Sequence, residues 1–228
     1  VPYGSRSRDT IIKYARQDVA FLRTFDLKAI VIACGTVSTT ALEVLEAENA
    51  IPILGVVGPA VAEAAAATRC GKVGLIGTQA TIRPRAYEKA LARLRPGAEV
   101  IALACPMLVP LVENGRFRPG DRVAELVVEE YLSPVKAAGV DTLVLGCTHY
   151  PLLADVIRAY MGPEVTLVNS GAACARQVAA LLEANEGPCP GIRRYFVSDR
   201  VDDFSALASL FLGEDVRGDV EQVDITLY

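Results

Sequence analysis

The stretch "TLVLGCTHYP", residues 142–151, decides how the fold is read. It opens as an apolar, β-branched run, turns polar at Cys147 and Thr148, and holds His149, the only histidine in the 228-residue chain. An apolar run without polar alternation suits a strand covered on both faces, as in a parallel sheet flanked by helices. Pro151 suits a first helical position, so "PLLADVIRAYMG" (151–162) reads as the next helix, stopped by Gly162. Thiol and imidazole therefore fall at the carboxyl end of a strand, where open α/β sheets bind their ligands.

The same grammar repeats outward. "AIVIAC" (29–34), "KVGLIG" (72–77), "EVIALA" (99–104), "VTLVNS" (165–170) and "RRYFVS" (193–198) read as further strands, with a last short run in "EQVDITL". Helical patterns lie between them. "RDTIIKYARQDVAFLRTF" gathers Ile11, Ile12, Ala15, Val19 and Phe25 near one face, and "RPRAYEKALARLRP" reads as an amphipathic helix with a solvated side. "DRVAELVVEEYLSPVKAAG" has an Asp N-cap and a Gly stop, with a kink expected at Pro134. Strands alternating with helices predict an α/β fold with mainly parallel sheets. "LKAIVIACGTVSTTALEVL" resembles "VDTLVLGCTHYPLLADVI": strand, small residue, Cys, Thr, helix. That repetition predicts two pseudo-symmetric α/β halves, Cys34 and Cys147 facing one cleft between them.

Composition narrows the function. Hydrophobic residues make up 52% and charged residues 22%, and the net charge of −4 with scattered Lys and Arg argues against a nucleic-acid surface. Apolar windows are broken too often for a membrane span. No signal peptide is visible and the six cysteines form no CxxC pair, so a reduced cytoplasmic setting is expected. One histidine and no metal-ligand spacing argue against zinc, and neither a G-x-G-x-x-G after a strand nor a P-loop is present. The expectation is an activity without metal or cofactor.

A thiol at a strand end that opens a helix meets backbone N–H groups and a positive dipole, which predicts a pKa lowered toward neutrality. Cys70, Cys105, Cys174 and Cys189 lack that placement and read as ordinary small apolar residues. One Cys with one His would suit a cysteine hydrolase, but that chemistry leaves the second strand-end thiol unused. Two opposed thiols suit proton removal from one face of a carbon and proton delivery to the other. Gly4 in "VPYGSRS", and Thr78 and Thr81 in "IGTQAT", offer close backbone approach and hydroxyls for a carboxylate. Glu113 in "PLVENGRF" is an acid beside a Gly turn, available to a thiol or imidazole.

"VPYGSRS", "IACGTVST", "IGTQAT", "CPMLVPLVENG" and "LGCTHYPLL", in this order, resemble the glutamate racemases of the cofactor-independent aspartate/glutamate racemase superfamily, and the likeness continues through "FVSDRVDDFSALASLFLGEDV". The resemblance implies two α/β domains, 1–57 plus 170–228 and 58–169, with the active site between them. It also implies a homodimer that interconverts L- and D-glutamate and supplies the D isomer for peptidoglycan. Carried over, Cys34 is the base toward D-glutamate and Cys147 the base toward L-glutamate, with Glu113 and His149 assisting Cys147. Tyr3, Gly4, Gly35, Thr36, Thr81, Thr148 and His149 become substrate contacts. Two departures stand out. The family's upstream "DSG" motif does not occur in this chain, which begins at Val1, and truncation is the expected reason. Gly35 occupies the place where the family usually carries Asn. Racemisation of another acidic amino acid or a hydantoin or malonate-type substrate, a catalytically dead ligand-binding homologue, and a thiol-redox protein remain alternatives.

Overall fold

The computed structural model describes residues 3–182, 191–216 and 218–228; Cys189 lies outside them. Chain order begins with helix α1 (Arg8–Leu22), strand β1 (Ile30–Ile32), helices α2 (Gly35–Thr40) and α3 (Leu42–Glu48), strand β2 (Ile53–Gly55) and helix α4 (Val57–Ala67). Next come β3 (Lys72–Gly77), α5 (Gln79–Ile82), α6 (Ala86–Leu94), β4 (Glu99–Ala104), α7 (Leu108–Glu113), α8 (Arg122–Ala137) and β5 (Thr142–Leu145). The chain closes with α9 (Ala154–Met161), β6 (Thr166–Asn169), α10 (Ser170–Leu181), β7 (Tyr195–Val197), α11 (Val201–Leu212) and β8 (Val220–Gln222).

All strand pairs among the described residues are parallel. The central sheet has the order β4-β3-β5-β6. Its strands are apolar on both faces because both are covered: Leu143 and Leu145 of β5 point into one core and Val144 into another. The first core is closed by Leu108 and Val112 of α7, Val128 and Leu132 of α8 and Ile157 of α9. The second is closed by Val57, Ala60, Val61 and Ala64 of α4 and by Tyr87 and Leu91 of α6. A third cluster packs Ile11, Ile12, Ala15 and Val19 of α1 on Ile30, Ile32 and Ile53 of the two-stranded β1–β2 sheet. β7 and β8 form a separate parallel pair.

Local chemistry places the helix ends. Ser7 Oγ accepts the Thr10 N–H at the start of α1, and Asp121 accepts from Val123 and Ala124 at the start of α8. Helix α8 runs without interruption through Pro134, the residue at which a kink is expected. Proline leaves the Glu130 carbonyl without its N–H partner, and the Ser133 hydroxyl donates to that oxygen instead at 3.1 Å. Two differences from the sequence reading stand out. β2 was not foreseen: three residues behind Pro52 are too short a run to stand out by periodicity. Pro151 does not open an α-helix directly; a 3-10 turn over Tyr150–Leu153 comes first and α9 begins at Ala154.

Candidate active site

β1 and β5 each end two positions before a cysteine. Cys34 is the N-cap residue of α2, and Cys147 lies between β5 and the 3-10 turn. Both are half-buried and unpaired. One open cavity of about 1260 Å³ is lined by both, and by every other residue singled out in the sequence: Tyr3, Gly4, Gly35, Thr36, Thr81, Glu113, Thr148 and His149. A second cavity of about 480 Å³ lies against the same strand ends, with Gly35, Gly146, Cys147 and Thr148 common to both.

Around Cys147 the polar groups form a line. Glu113, the last residue of α7, faces His149 with its Oε1 3.1 Å from Nε2. Nδ1 lies 3.7 Å from the Cys147 sulfur and 3.3 Å from the Thr148 hydroxyl. An ionised carboxylate only accepts, so Nε2 donates to Glu113 and, in the neutral ring, Nδ1 presents its lone pair to the thiol. In that tautomer the Nδ1 lone pair faces the Cys147 sulfur. Phe211 of α11 stands edge-on to the imidazole, 5.1 Å between centroids.

Around Cys34 the surroundings are hydroxyls and amides. Thr36 Oγ1 lies 2.8 Å from Thr78 Oγ1 and 3.3 Å from Thr81 Oγ1, and those two are 3.0 Å apart. Thr78 also caps α5 through the Thr81 N–H. A Cβ on Gly4 would stand 3.0 Å from Thr78 Cβ, so the bare glycine lets the Tyr3–Gly4 turn close on this trio. The Tyr3 hydroxyl donates to Asp18 at 3.3 Å.

Neither thiol is drawn toward neutrality, which corrects the sequence expectation. Burial pushes Cys147 up to about 11; the backbone N–H of His149 and the Thr148 hydroxyl oppose this, while the negative charges of Cys34 and Glu113 add to it. Burial also raises Cys34, against the N–H groups of Val37 and Thr36 and the Thr36 hydroxyl. Helix α2 has six residues and Cys147 precedes only a 3-10 turn, so few aligned peptide dipoles reach either sulfur. Phe211 and Gly146 line these cavities and Asp18 holds Tyr3, yet the sequence singles out none of them; an apolar helix position and a helix acid carry no local sign of what they will face.

Parallel strands that bring two free thiols, a cluster of hydroxyls and a carboxylate–imidazole pair to one cavity have the chemistry of an isomerase that moves a proton at carbon. Residues 4–178 match the Asp/Glu/Hydantoin racemase family. The chain belongs to that family and is an amino-acid racemase, an isomerase. It is 47% identical to a glutamate racemase of Geobacter metallireducens over 99% of this chain and 84% of that one. Among solved structures it is similar to a glutamate racemase isoform of Bacillus anthracis, at TM-score 0.88 and 36% identity over 98% of this chain and 84% of that one. The glutamate racemase of Francisella tularensis, solved with D-glutamate, gives TM-score 0.89 and 31% identity over 100% of this chain and 85% of that one. No helix among the described residues is long and apolar enough to cross a membrane.

Proposed function

We propose that the chain interconverts L- and D-glutamate by two-base proton transfer at Cα, with Cys34 and Cys147 on opposite faces of the substrate. The observation that carries this reading is that both strand-end thiols line one cavity, with the Glu113–His149 pair beside Cys147 only. In the L-to-D direction Cys147 passes its proton to His149, and Glu113 stabilises the imidazolium. The thiolate then takes the Cα proton, leaving a planar carbanion. Cys34 delivers its own proton to the opposite face and is left as thiolate, so charge and protons balance. The reverse direction starts from the Cys34 thiolate, held by the Thr36 and Val37 N–H groups. The Thr36, Thr78 and Thr81 hydroxyls, with Tyr3, Gly4 and Thr148, serve the carboxylates and amine.

Relatives named glutamate racemase support the substrate. Within the same reading, residues 1–57 plus 170–228 form one domain and 58–169 the other, a division supported by the separate α1–β1–β2 core. The assembly is a homodimer in the cytoplasm and the product feeds peptidoglycan. The test places the chain in D₂O with L-glutamate, following the Cα proton by NMR and rotation by polarimetry. Loss of both signals is expected, and Cys34→Ser and Cys147→Ser should each abolish racemisation. Normal turnover in either variant would sink the two-base scheme. Binding of glutamate with no exchange in the folded wild type would instead favour a ligand-binding homologue, and turnover of aspartate or a hydantoin alone would move the substrate.

A further inference from the structure

The two cysteine-bearing strand ends touch through bare backbone. A Cβ built on Gly35 would stand 2.3 Å from the Gly146 carbonyl oxygen and 3.4 Å from its carbon. No side chain fits there, and the atom in the way is backbone, which has no rotamer to escape into. The Gly146 side is itself anchored. Its N–H donates to the Ile76 carbonyl on β3 at 2.8 Å, and a Cβ on Gly146 would meet Ile76 O at 2.8 Å and Leu75 Cδ1 at 3.0 Å. The Gly35 side is held too: Ser38 N–H bonds the Cys34 carbonyl at 2.9 Å, and Thr36 is tied to Thr78 and Thr81. Each glycine is the immediate chain neighbour of a thiol. The contact runs Cys34–Gly35 against Gly146–Cys147.

We propose that Gly35 is a positioning residue: lacking a side chain, it seats the Cys34 strand end against the Gly146 carbonyl and so sets the gap between the two thiols. This rests on the racemase reading above and deepens it. In this reading Gly35 is a spacer between the two strand ends, since any side chain there would have to force them apart. Relieving a Cβ at this place takes about 1 Å of backbone movement. Misplacement of that size costs on the order of 10²-fold where reacting groups must align.

The experiment makes Gly35→Ala and Gly35→Asn and follows glutamate in D₂O. The expected result is kcat lowered about 10- to 100-fold in both directions with KM moved less than about threefold, the sign of an interaction expressed in the transition state. A wider gap also delays reprotonation from the far thiol. The carbanion then lives longer, the first thiol exchanges with solvent, and deuterium enters recovered starting enantiomer relative to inverted product. A merely structural loss would lower exchange and inversion together, leaving that ratio fixed, and this would overturn the proposal. Tighter glutamate binding by Gly35→Asn at an unchanged ratio would also overturn it. Should neither variant fold, NMR of the wild type decides: a through-space contact from the Gly35 Hα protons to the Gly146–Cys147 backbone is expected, and its absence refutes the contact. A wild type that neither exchanges nor inverts glutamate defeats the racemase reading itself, whereas failure of the Gly35 proposal alone leaves wild-type turnover intact.

Discussion

At the scale of single residues, Glu113 has two opposed effects on Cys147. Its negative charge adds to the burial that pushes the thiol up to about 11. In the two-base scheme proposed above it also steadies, through His149 Nε2 at 3.1 Å, the imidazolium that forms when the thiol gives up its proton. Glu113→Gln separates the two. In the free protein the thiol pKa should fall, so alkylation of Cys147 by iodoacetamide at pH 8 should quicken, with the whole alkylation profile moving to lower pH. Turnover should nevertheless drop, roughly 10- to 100-fold, the range lost with general acid–base help. Since two enantiomers interconvert with an equilibrium constant of one, kcat/KM must fall equally from either side. Faster alkylation with undiminished turnover would remove Glu113 from the mechanism. The sign for stability is separate: a thiol raised in the folded state protects the fold below its unfolded pKa, near 8.5, and that contribution is lost as pH climbs through about 11.

At the scale of elements, the amino end of β5 is held as firmly as its carboxyl end is functional. Asp141, just ahead of the strand, accepts from the Thr68 hydroxyl at 2.6 Å, from the Arg69 and Cys70 N–H groups at 2.7 Å each, and from the Thr142 hydroxyl at 3.1 Å. Burial raises its pKa, but these donors outweigh that and hold the carboxyl well below the usual carboxylate range. That contribution is complete above the unfolded pKa near 3.9 and disappears as pH falls toward the depressed folded value. Asp141→Ala should cost about 2–3 kcal/mol at pH 7. Thermal melts should show a drop of roughly 4–12 °C, shrinking below pH 4; a loss that stays constant to pH 2 would contradict the assignment. Elements of this kind differ in how well sequence announces them. β3 and β4 span the six-residue runs 72–77 and 99–104 as read, because long apolar runs between turns are unambiguous. The cysteines and His149 stood out in the sequence because polar residues at strand ends break an apolar context, and Glu113 because it is the one acid closing an apolar helix beside a Gly turn. β2 was not, being three residues long, and neither was Phe211, whose partner is far away in the chain. The Gly35–Gly146 contact is a product of tertiary approach alone.

For the molecule as a whole, α11 brings Phe211 to His149, and the C-terminal segment to which α11 belongs is tied back to α1 by aromatic rings. Phe21 of α1 meets Phe196 of β7 at 5.1 Å and Tyr228 at 5.4 Å between centroids, and Phe25 adds a further ring 5.4 Å from Phe196. Arg194 lies over Phe196 at 4.9 Å, and Gln17 donates to the Ile225 carbonyl at 3.2 Å. The seam thus joins the first helix to the last strands, and through α11 it bears on the imidazole of the site. Phe21→Ala and Phe196→Ala should each lower stability by roughly 1–3 kcal/mol, less than full-core Phe truncations because the rings are half-buried. Edge-to-face pairs couple by about 0.5–1.5 kcal/mol, so urea unfolding of the double variant should show less than the summed loss. Turnover of Phe21→Ala should also fall at temperatures where the protein is fully folded, because a loosened seam frees α11 and unseats Phe211 from His149. Phe211→Ala should reproduce that fall in turnover with no seam coupling to Phe196. Strict additivity of the two seam variants together with unchanged turnover would mean the C-terminal strands are held by something other than these rings.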